Sequence, residues 1–286
     1  MTETAQSEPA AQTWKLTLSY DGTDFRGWQV QPDEPTVQGE LQAALGRVTG
    51  ETPLPKGSGR TDAGVHALAQ VASFALRAPI PAENLLRALN RTLPASIRVL
   101  EAIPVTEGFH ARHSAVAKTY EYRIFQETRG QDRICPPFLA RYVYACTWQL
   151  ELKPLSEAAR FFVGEHDFLS FTATDPDMSS RVRADMQAAA PDRAAEVADP
   201  PTAFRTLYAS DWETRNTEAG ELLVYRVRGN GFLHHMVRNL VGTMLEVGRG
   251  YLQVEKIPAI LAARSRSAAG PTAPARGLFL HSVEYE

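Results

Sequence analysis

Residues 57–66 read Gly57-Ser58-Gly59-Arg60-Thr61-Asp62-Ala63-Gly64-Val65-His66, a glycine-framed stretch that carries an arginine and an aspartate two positions apart. Glycine takes positive φ at little cost and lets another backbone approach closely, so the stretch predicts a sharp connection. The residues at 65–74 are predicted to form a strand. A charged pair on a loop that enters a strand is typical of a functional site on a rigid scaffold. The pattern also fits a surface turn in which Asp62 caps its own backbone, and spacing alone favours that interpretation.

The first part of the chain predicts one compact set of elements around this loop. Alternating apolar and polar residues over 14–20 predict a half-buried strand, and Thr36 is a suitable N-cap for an amphipathic helix. A short strand after Pro53 leads into the loop and its following strand. Pro81 is predicted to start a second helix, and residues 97–103 to form the last strand. The order strand, helix, strand, strand, helix, strand is that of a ferredoxin-like split βαβ unit.

The second half, residues 114–286, is predicted to repeat this order after a first half at 13–113. Its predicted strands are 119–125, 142–146, 206–212, 222–227 and 278–285, and its predicted helices are 155–163 and 232–247. Gly242 inside the longest helix costs about 1 kcal/mol relative to Ala, which indicates close backbone packing there. Residues 175–201 have little apolar periodicity and predict a surface insertion. We therefore predict an α+β fold of two ferredoxin-like (RRM-like) split βαβ halves with mixed or antiparallel sheets.

Bulk composition narrows the class of protein. The 286 residues are 44% hydrophobic and 22% charged, as in an ordinary globular protein. The formal net charge of −3 means that any RNA site has to be a local positive patch. Cys135 and Cys146 lack the spacing of a zinc site or a disulfide framework. Residues 1–12 predict a disordered tail rather than a signal peptide, and no apolar run predicts a membrane span, so a cytoplasmic protein is expected.

The longer run at residues 59–74, GRTDAGVHALAQVASF, resembles the active-site motif of the TruA-type tRNA pseudouridine synthases. Further matches follow in the same order along the chain: Tyr20-Asp21-Gly22, Gly27-Trp28-Gln29, Thr36-Val37-Gln38, Phe109-His110-Ala111-Arg112, Lys118-Thr119-Tyr120-Glu121-Tyr122-Arg123, Phe168-Leu169-Ser170-Phe171, His234-His235-Met236-Val237-Arg238-Asn239 and Gly277-Leu278. Ordered matches are far more specific than any single one. The insertion disturbs the family's Ser-x-x-Arg-Thr element, which reads Thr202-Ala203-Phe204-Arg205-Thr206 here.

The resemblance implies an isomerase that converts uridine to pseudouridine in the anticodon stem-loop of tRNA, at tRNA positions 38, 39 and 40. It implies two halves joined around a central RNA-binding cleft, and a homodimer that lays one tRNA across both subunits. The reaction needs no cofactor and no metal, because no oxidation state changes overall and no energy input is required.

The resemblance also assigns roles to individual residues. Asp62 is the catalytic aspartate, as nucleophile or base. Arg60 enters the RNA stack when the target base flips out; its alternative is a salt-bridge partner of Asp62. Tyr120 lies against the flipped uracil, where its alternative is a core tyrosine, and Leu278 lines the other side of the pocket or only packs in its strand. Arg238 is the expected charge partner that keeps Asp62 ionised, since an arginine stays charged when desolvated; its alternative is a surface arginine on a helix.

Two short segments are candidates for RNA contact by side chains. The first combines aromatic, imidazole and guanidinium groups that suit stacking and phosphate contacts: Phe109, His110, Arg112 and His113. The second resembles an RNA-contacting segment of the family, and its phenylalanines fit the core equally well: Phe168, Ser170 and Phe171.

Two other functions are weighed against the isomerase. A non-catalytic RNA-binding protein with two RRM-like domains shares the element order, but an RNP1-type aromatic run is not found and Asp62 has no task in it. A small-molecule hydrolase that uses Asp62 and His66 needs a third positioned group for which no motif is found. His234 and His235 are adjacent on the predicted helix, where side chains point about 100° apart, so they do not form the i, i+4 pair of a metal site.

Overall fold

A computed structural model describes residues 10–127, 134–173, 203–218 and 220–286 of the chain. The predicted insertion at 175–201 lies outside the described residues, as does the predicted tail up to residue 9. The described chain forms two compact units. The first comprises the described parts of Met1–Phe125, Cys135–Ala145 and Ala275–Glu286, and the second those of Gln126–Ile134 and Cys146–Pro274.

Helices and strands occur in both units and the sheet is mixed, which is consistent with the predicted α+β class. In chain order the elements are β1 (Gln12–Tyr20), α1 (Val37–Thr49), β2 (Lys56–Gly57), β3 (His66–Leu76), α2 (Ala82–Thr92), β4 (Ile97–Val105), β5 (Ala115–Gln126), α3 (Pro137–Ala140), β6 (Tyr144–Cys146), α4 (Leu152–Arg160), β7 (Gly164–Asp167), β8 (Phe204–Thr217), β9 (Gly220–Gly229), α5 (Met236–Gly248), α6 (Ile257–Ala263) and β10 (Leu278–Tyr285). Within the described ranges, the helices are too short or too polar to cross a membrane.

The first unit is built on a mixed sheet with the strand order β4-β1-β3-β10-β5. Strand β1 alternates as its sequence predicts, because every second side chain from Trp14 to Tyr20 is buried. Strands β1 and β3 are antiparallel, whereas β3 and β10 are parallel, with Phe279 opposite His66. This parallel pairing places the last strand of the chain beside the residue that ends the glycine-framed loop.

Helix α1 begins where the sequence predicts. The Thr36 hydroxyl accepts a hydrogen bond from the Gly39 backbone N–H at 3.3 Å, which satisfies one donor of the first turn. Val37, Leu41 and Leu45 are buried on one face of the helix. Helix α2 follows the N-cap residue Pro81, as predicted.

The second unit holds the antiparallel strand order β9-β8-β7 together with α4, α5 and α6. Helix α5 is buried along most of its length. A Cβ at Gly242 would overlap the carbonyl oxygen of Pro271, so the predicted close backbone approach is confirmed.

Helix α5 starts at Met236, and the prediction of a helix from 232 is wrong at its first turn. His235 has a φ of 59° and acts as a left-handed N-cap, which ends the segment before the helix. The His234 and His235 rings consequently lie 4.0 Å apart between centroids, tilted by 31°. The expected divergence of about 100° between these neighbours on a helix therefore does not apply.

Candidate active site

The glycine-framed loop between β2 and β3 is held by backbone hydrogen bonds from the segment after β1. The Trp28 N–H donates to the Thr61 carbonyl at 3.0 Å, and the Gly64 N–H donates to the Phe25 carbonyl at 3.3 Å. Within the loop, the Val65 N–H donates to the Asp62 carbonyl at 3.1 Å. Gly27 has a φ of 91°, and a Cβ there would lie 2.5 Å from the Thr61 carbonyl oxygen. Glycine is thus required where the two segments meet.

Asp62 and Arg60 are both half-buried on this loop. The Arg60 Nε donates to the Gln29 side-chain oxygen at 3.1 Å, which ties the guanidinium to the segment after β1. Between them, Thr61 is buried, and its hydroxyl lies 2.8 Å from the Tyr20 hydroxyl. The loop therefore turns Thr61 inward, as the buried anchor between its two charged neighbours.

Tyr120 lies on β5, beside the loop, with 7% of its surface exposed. A Cβ at Gly59 would sit 3.9 Å from the Tyr120 hydroxyl. Burial raises the pKa of Tyr120, and the nearby Tyr20 and the Asp62 carboxylate raise it further. Burial also raises the pKa of Tyr20 to about 12, against the hydrogen bonds from Thr61 and Gln70. Both phenols are neutral at physiological pH, and the Tyr120 hydroxyl is close enough to Asp62 to interact with its charge.

Leu278 is the first residue of β10, buried and opposite Tyr122 in the register of β5. Its strand also pairs Leu280 with Tyr120. Asp62, Arg60, Tyr120 and Leu278 thus all belong to the first unit, although they come from three distant parts of the sequence.

His66 is buried at the base of the loop, with 1% of its surface exposed. Its Nδ1 is 3.1 Å from the Gly22 N–H and 3.2 Å from an Asp21 carboxylate oxygen. Its Nε2 lies 3.0 Å from the Arg141 carbonyl and 3.2 Å from the Arg276 carbonyl. Burial lowers the pKa of His66, against the raising effect of Asp21. A neutral ring that accepts from Gly22 through Nδ1 and donates through Nε2 satisfies the contacts with the backbone groups, so His66 fixes structure and does not suit the general base of a hydrolase.

The segment that follows β4 carries the predicted RNA-contacting residues of the first unit. The Phe109 ring packs against the Tyr285 ring with centroids 5.1 Å apart, and the His110 and His113 rings lie 4.3 Å apart. Burial lowers the pKa of His110, and the positive charges of His113, Lys56 and Arg112 lower it further. Arg112 is exposed. The segment is therefore anchored by Phe109 and concentrates positive charge around Arg112.

The second predicted RNA segment is placed differently. Phe168, Ser170 and Phe171 are fully buried in the second unit. Phe171 meets Phe162 edge-on at 5.2 Å, and the Ser170 hydroxyl donates to the Ile260 carbonyl at 2.7 Å. Core packing, the alternative that the sequence left open for the two phenylalanines, accounts for where these side chains lie. RNA contact by this segment stays a prediction.

Comparison with known proteins covers nearly the whole chain and agrees with the resemblance that the motifs indicate. A sequence profile described as tRNA pseudouridine synthase matches residues 17–114 and 190–286. The chain is 46% identical over 272 residues to the tRNA pseudouridine synthase A of Solibacter usitatus, covering 95% of this chain and 98% of that protein. It is 45% identical to the protein of the same name from Moorella thermoacetica and 39% identical to that of Bacillus subtilis, with the same coverage. The chain belongs to the tRNA pseudouridine synthase family.

The two segments that match the tRNA pseudouridine synthase profile contain most of the predicted site. Asp62 and Arg60 lie in the first segment, Arg238 and Leu278 in the second, and Tyr120 in the stretch between them. Arg238 belongs to the second unit, where its Nε donates to the Ala273 carbonyl at 2.8 Å and its own carbonyl accepts the Ala273 N–H at 3.1 Å. These bonds fix the start of α5 to the segment at 270–274. The pairing of Arg238 with Asp62 stays a prediction.

Proposed function

We propose that this protein isomerises uridine to pseudouridine in tRNA, with Asp62 as the catalytic group. The observation that carries the proposal is the membership of the tRNA pseudouridine synthase family together with the GRTDAG loop that presents Asp62 from a fixed backbone. The reaction breaks the C1′–N1 bond, rotates the uracil and forms a C1′–C5 bond. It exchanges one glycosidic bond for another, so it requires an anionic group at the sugar or base and a surface that retains the detached ring.

We assign the supporting roles as follows. Asp62 acts as nucleophile or base, and Arg238 keeps it ionised through its positive charge. Tyr120 and Leu278 line the place of the uracil ring. Arg60 takes the position of the base that leaves the RNA stack, which offsets part of a flipping cost of a few kcal/mol. One segment of the first unit contacts the RNA backbone, and its residues are Phe109, His110, Arg112 and His113. The combination of charged and aromatic side chains in this segment supports that role.

The finer features of the proposal rest on the family resemblance. We propose that the substrate positions are uridines 38, 39 and 40 of the anticodon stem-loop, that the protein acts as a homodimer, and that it is cytoplasmic. We also propose that residues 13–113 and 114–286 are two ferredoxin-like halves around a central RNA-binding cleft. The order of predicted elements supports this division.

The test is to incubate unmodified tRNA transcripts with the protein and to map pseudouridine at single-nucleotide resolution. Asp62→Asn keeps the shape of the side chain and removes the anion, so we expect tRNA binding without detectable product. Asp33→Asn is the matched control, because it removes an exposed carboxylate at a φ of 59°, which asparagine adopts readily. Full activity of Asp62→Asn contradicts the assignment. RNA binding without product by the parent protein supports the RNA-binding alternative instead.

A further inference from the structure

The glycine content of the loop that carries Arg60 and Asp62 makes this loop costly to order. Glycine stands at positions 57, 59 and 64, and each glycine adds backbone entropy that folding has to remove. Fixing one residue costs roughly 1–2 kcal/mol of conformational entropy. A catalytic carboxylate, however, has to be held within about 0.5 Å of its productive position. Contacts from outside the loop therefore have to fix its backbone, because its own sequence does not.

The side-chain amide of Gln70 makes such contacts from below the loop. Gln70 lies on β3 and is fully buried. Its Nε2 donates to the Gly59 carbonyl at 2.9 Å and lies 3.5 Å from the Tyr20 hydroxyl. Its Oε1 accepts the Ser58 hydroxyl at 2.6 Å. The Gly59 carbonyl only accepts hydrogen bonds, so it fixes the orientation of the amide.

Burial of an amide is costly unless its hydrogen bonds are satisfied, and a strand position is filled more simply by an apolar residue. The neighbours of Gln70 on β3 illustrate this, since Ala67, Val71 and Ala72 are buried and apolar. Glutamine at this position is therefore explained by what its amide holds, which is the Ser58 hydroxyl and the Gly59 carbonyl.

Lys118 holds Ser58 from another strand and lies close to Gly59. It lies half-buried on β5, and its Nζ donates to the Ser58 carbonyl at 2.6 Å. A Cβ at Gly59 would lie 3.5 Å from that nitrogen. The two carbonyls that precede Arg60 are thus bound from β3 and β5, while Thr61, directly after Arg60, is bound by Tyr20 and by the Trp28 N–H.

We propose that Gln70 is a positioning residue for the reaction, and that Lys118 is its partner: together they clamp Ser58 and Gly59 and so fix the place of Arg60 and Asp62. The inference rests on the proposed function for its kinetic consequence and on the geometry alone for its structural one. Neither residue touches the substrate in this proposal, since both act through the loop backbone.

The principal variant is Gln70→Met, which keeps the length of the side chain and removes its hydrogen bonds. We expect amide hydrogen exchange in a peptide that covers residues 57–66 to accelerate, and kcat to fall about 100-fold, as for a reacting group misplaced by about 1 Å. The KM for tRNA should change little. The matched control is Asn90→Leu, because the Asn90 amide makes two hydrogen bonds of 2.8 Å to the Val99 backbone outside the loop. It should leave loop exchange and kcat unchanged.

A second pair of variants keeps the proposal testable if Gln70→Met does not fold. Lys118→Met removes the half-buried clamp and should accelerate loop exchange and lower kcat, while Lys118→Arg, which still donates to the Ser58 carbonyl, should recover part of kcat. A kcat equal to that of the parent in folded Gln70→Met or Lys118→Met overturns the proposal, as does loop exchange that does not change. If the parent protein forms no pseudouridine at all, the proposed function fails, and the exchange comparison still decides whether the clamp exists.

Discussion

The imidazole of His66 shows how much of this site is support for a single loop. Its ring stacks on Phe279 with centroids 4.7 Å apart, and its two nitrogens contact backbone groups of Gly22, Arg141 and Arg276. A buried neutral histidine thus joins the end of the loop to segments that are distant in the sequence. Protonation would add a positive charge to this nearly inaccessible ring. The Asp21 carboxylate, 3.2 Å from Nδ1, is the negative group in contact with it.

We expect His66 to make the protein less stable in mild acid. Its pKa is lower in the folded state than its ordinary value of about 6.5, because burial disfavours the charged ring. The unfolded chain therefore binds the proton first, and stability falls as the pH drops through 6.5 towards the folded-state pKa. Urea unfolding between pH 8 and pH 5 should show a steeper loss of stability in the parent than in His66→Gln.

The control for this experiment is His166→Gln, because His166 lies on β7 in the second unit, where its Nε2 is 3.0 Å from the nearby Val163 carbonyl oxygen. It should keep the pH dependence of the parent. An identical pH dependence of the parent and His66→Gln would show that another group governs acid stability.

At the scale of an element, α5 is placed by the residue before its first turn, by hydrogen bonds of two of its polar side chains, and by one close approach in its middle. The left-handed His235 sets where it begins, and the Asn239 side chain binds the Phe171 carbonyl at 2.7 Å and the Thr272 hydroxyl at 2.7 Å. The Thr243 hydroxyl accepts the Gly270 N–H at 2.9 Å. The segment at 270–274 thus lies against the helix backbone, and only a residue without a side chain fits at 242.

We predict that Gly242→Ala destabilises the protein despite the better helix propensity of alanine. Propensity favours alanine by about 1 kcal/mol, but a Cβ would overlap the Pro271 carbonyl oxygen, and such overpacking costs about 1–3 kcal/mol or more. Thermal unfolding should show a lower midpoint for this variant.

The matched control is Gly46→Ala in α1. A Cβ there meets only the Thr52 methyl group, at 2.9 Å, which is the end of a movable side chain. This variant should be neutral or more stable than the parent. A Gly242→Ala protein as stable as Gly46→Ala would mean that the segment at 270–274 yields easily.

At the scale of the whole molecule, a net charge of −3 has to coexist with binding of a polyanion. The segment at 109–113 concentrates arginine and histidine, and Lys56 is close enough to lower the pKa of His110 through its charge. Local patches of this kind are sufficient for RNA contact, because each neutralised phosphate releases counterions irrespective of charge elsewhere.

Affinity for tRNA should therefore fall steeply as salt is raised, and Arg112→Ala should weaken binding and flatten that dependence. The slope of log affinity against log salt should change by about one phosphate contact. Filter binding at four salt concentrations measures it. Arg87→Ala is the control, since Arg87 is an exposed arginine on α2 whose charge is paired with Glu83 at 3.7 Å. Equal slopes for Arg112→Ala and the parent would place Arg112 away from the phosphates.

The α+β class, the family and the loop that bears Asp62 could all be predicted from the amino-acid sequence. Local signals suffice for these conclusions, because each depends only on residues that are close in the sequence. Examples are the alternation over Trp14–Tyr20, the Thr36 cap and the apolar period of α5. The predicted boundary of an element was wrong where one backbone angle sets it, as at His235, whose positive φ delays the start of α5 to Met236. Ordered motifs carried the family assignment, because they preserve residue identity and need no knowledge of contacts.

Three-dimensional contacts, by contrast, were needed to identify the residues that support the loop. Gln70 and Lys118 lie 12 and 60 positions from Ser58, and His66 meets a carbonyl 210 positions away. The sequence of Phe168 and Phe171 fits the core and an exposed segment equally well, and burial shows that both side chains pack in the core. The physical reason is that a buried hydrogen bond or a packed ring depends on its partner, and strand pairing brings partners together whose sequence separation carries no local signal.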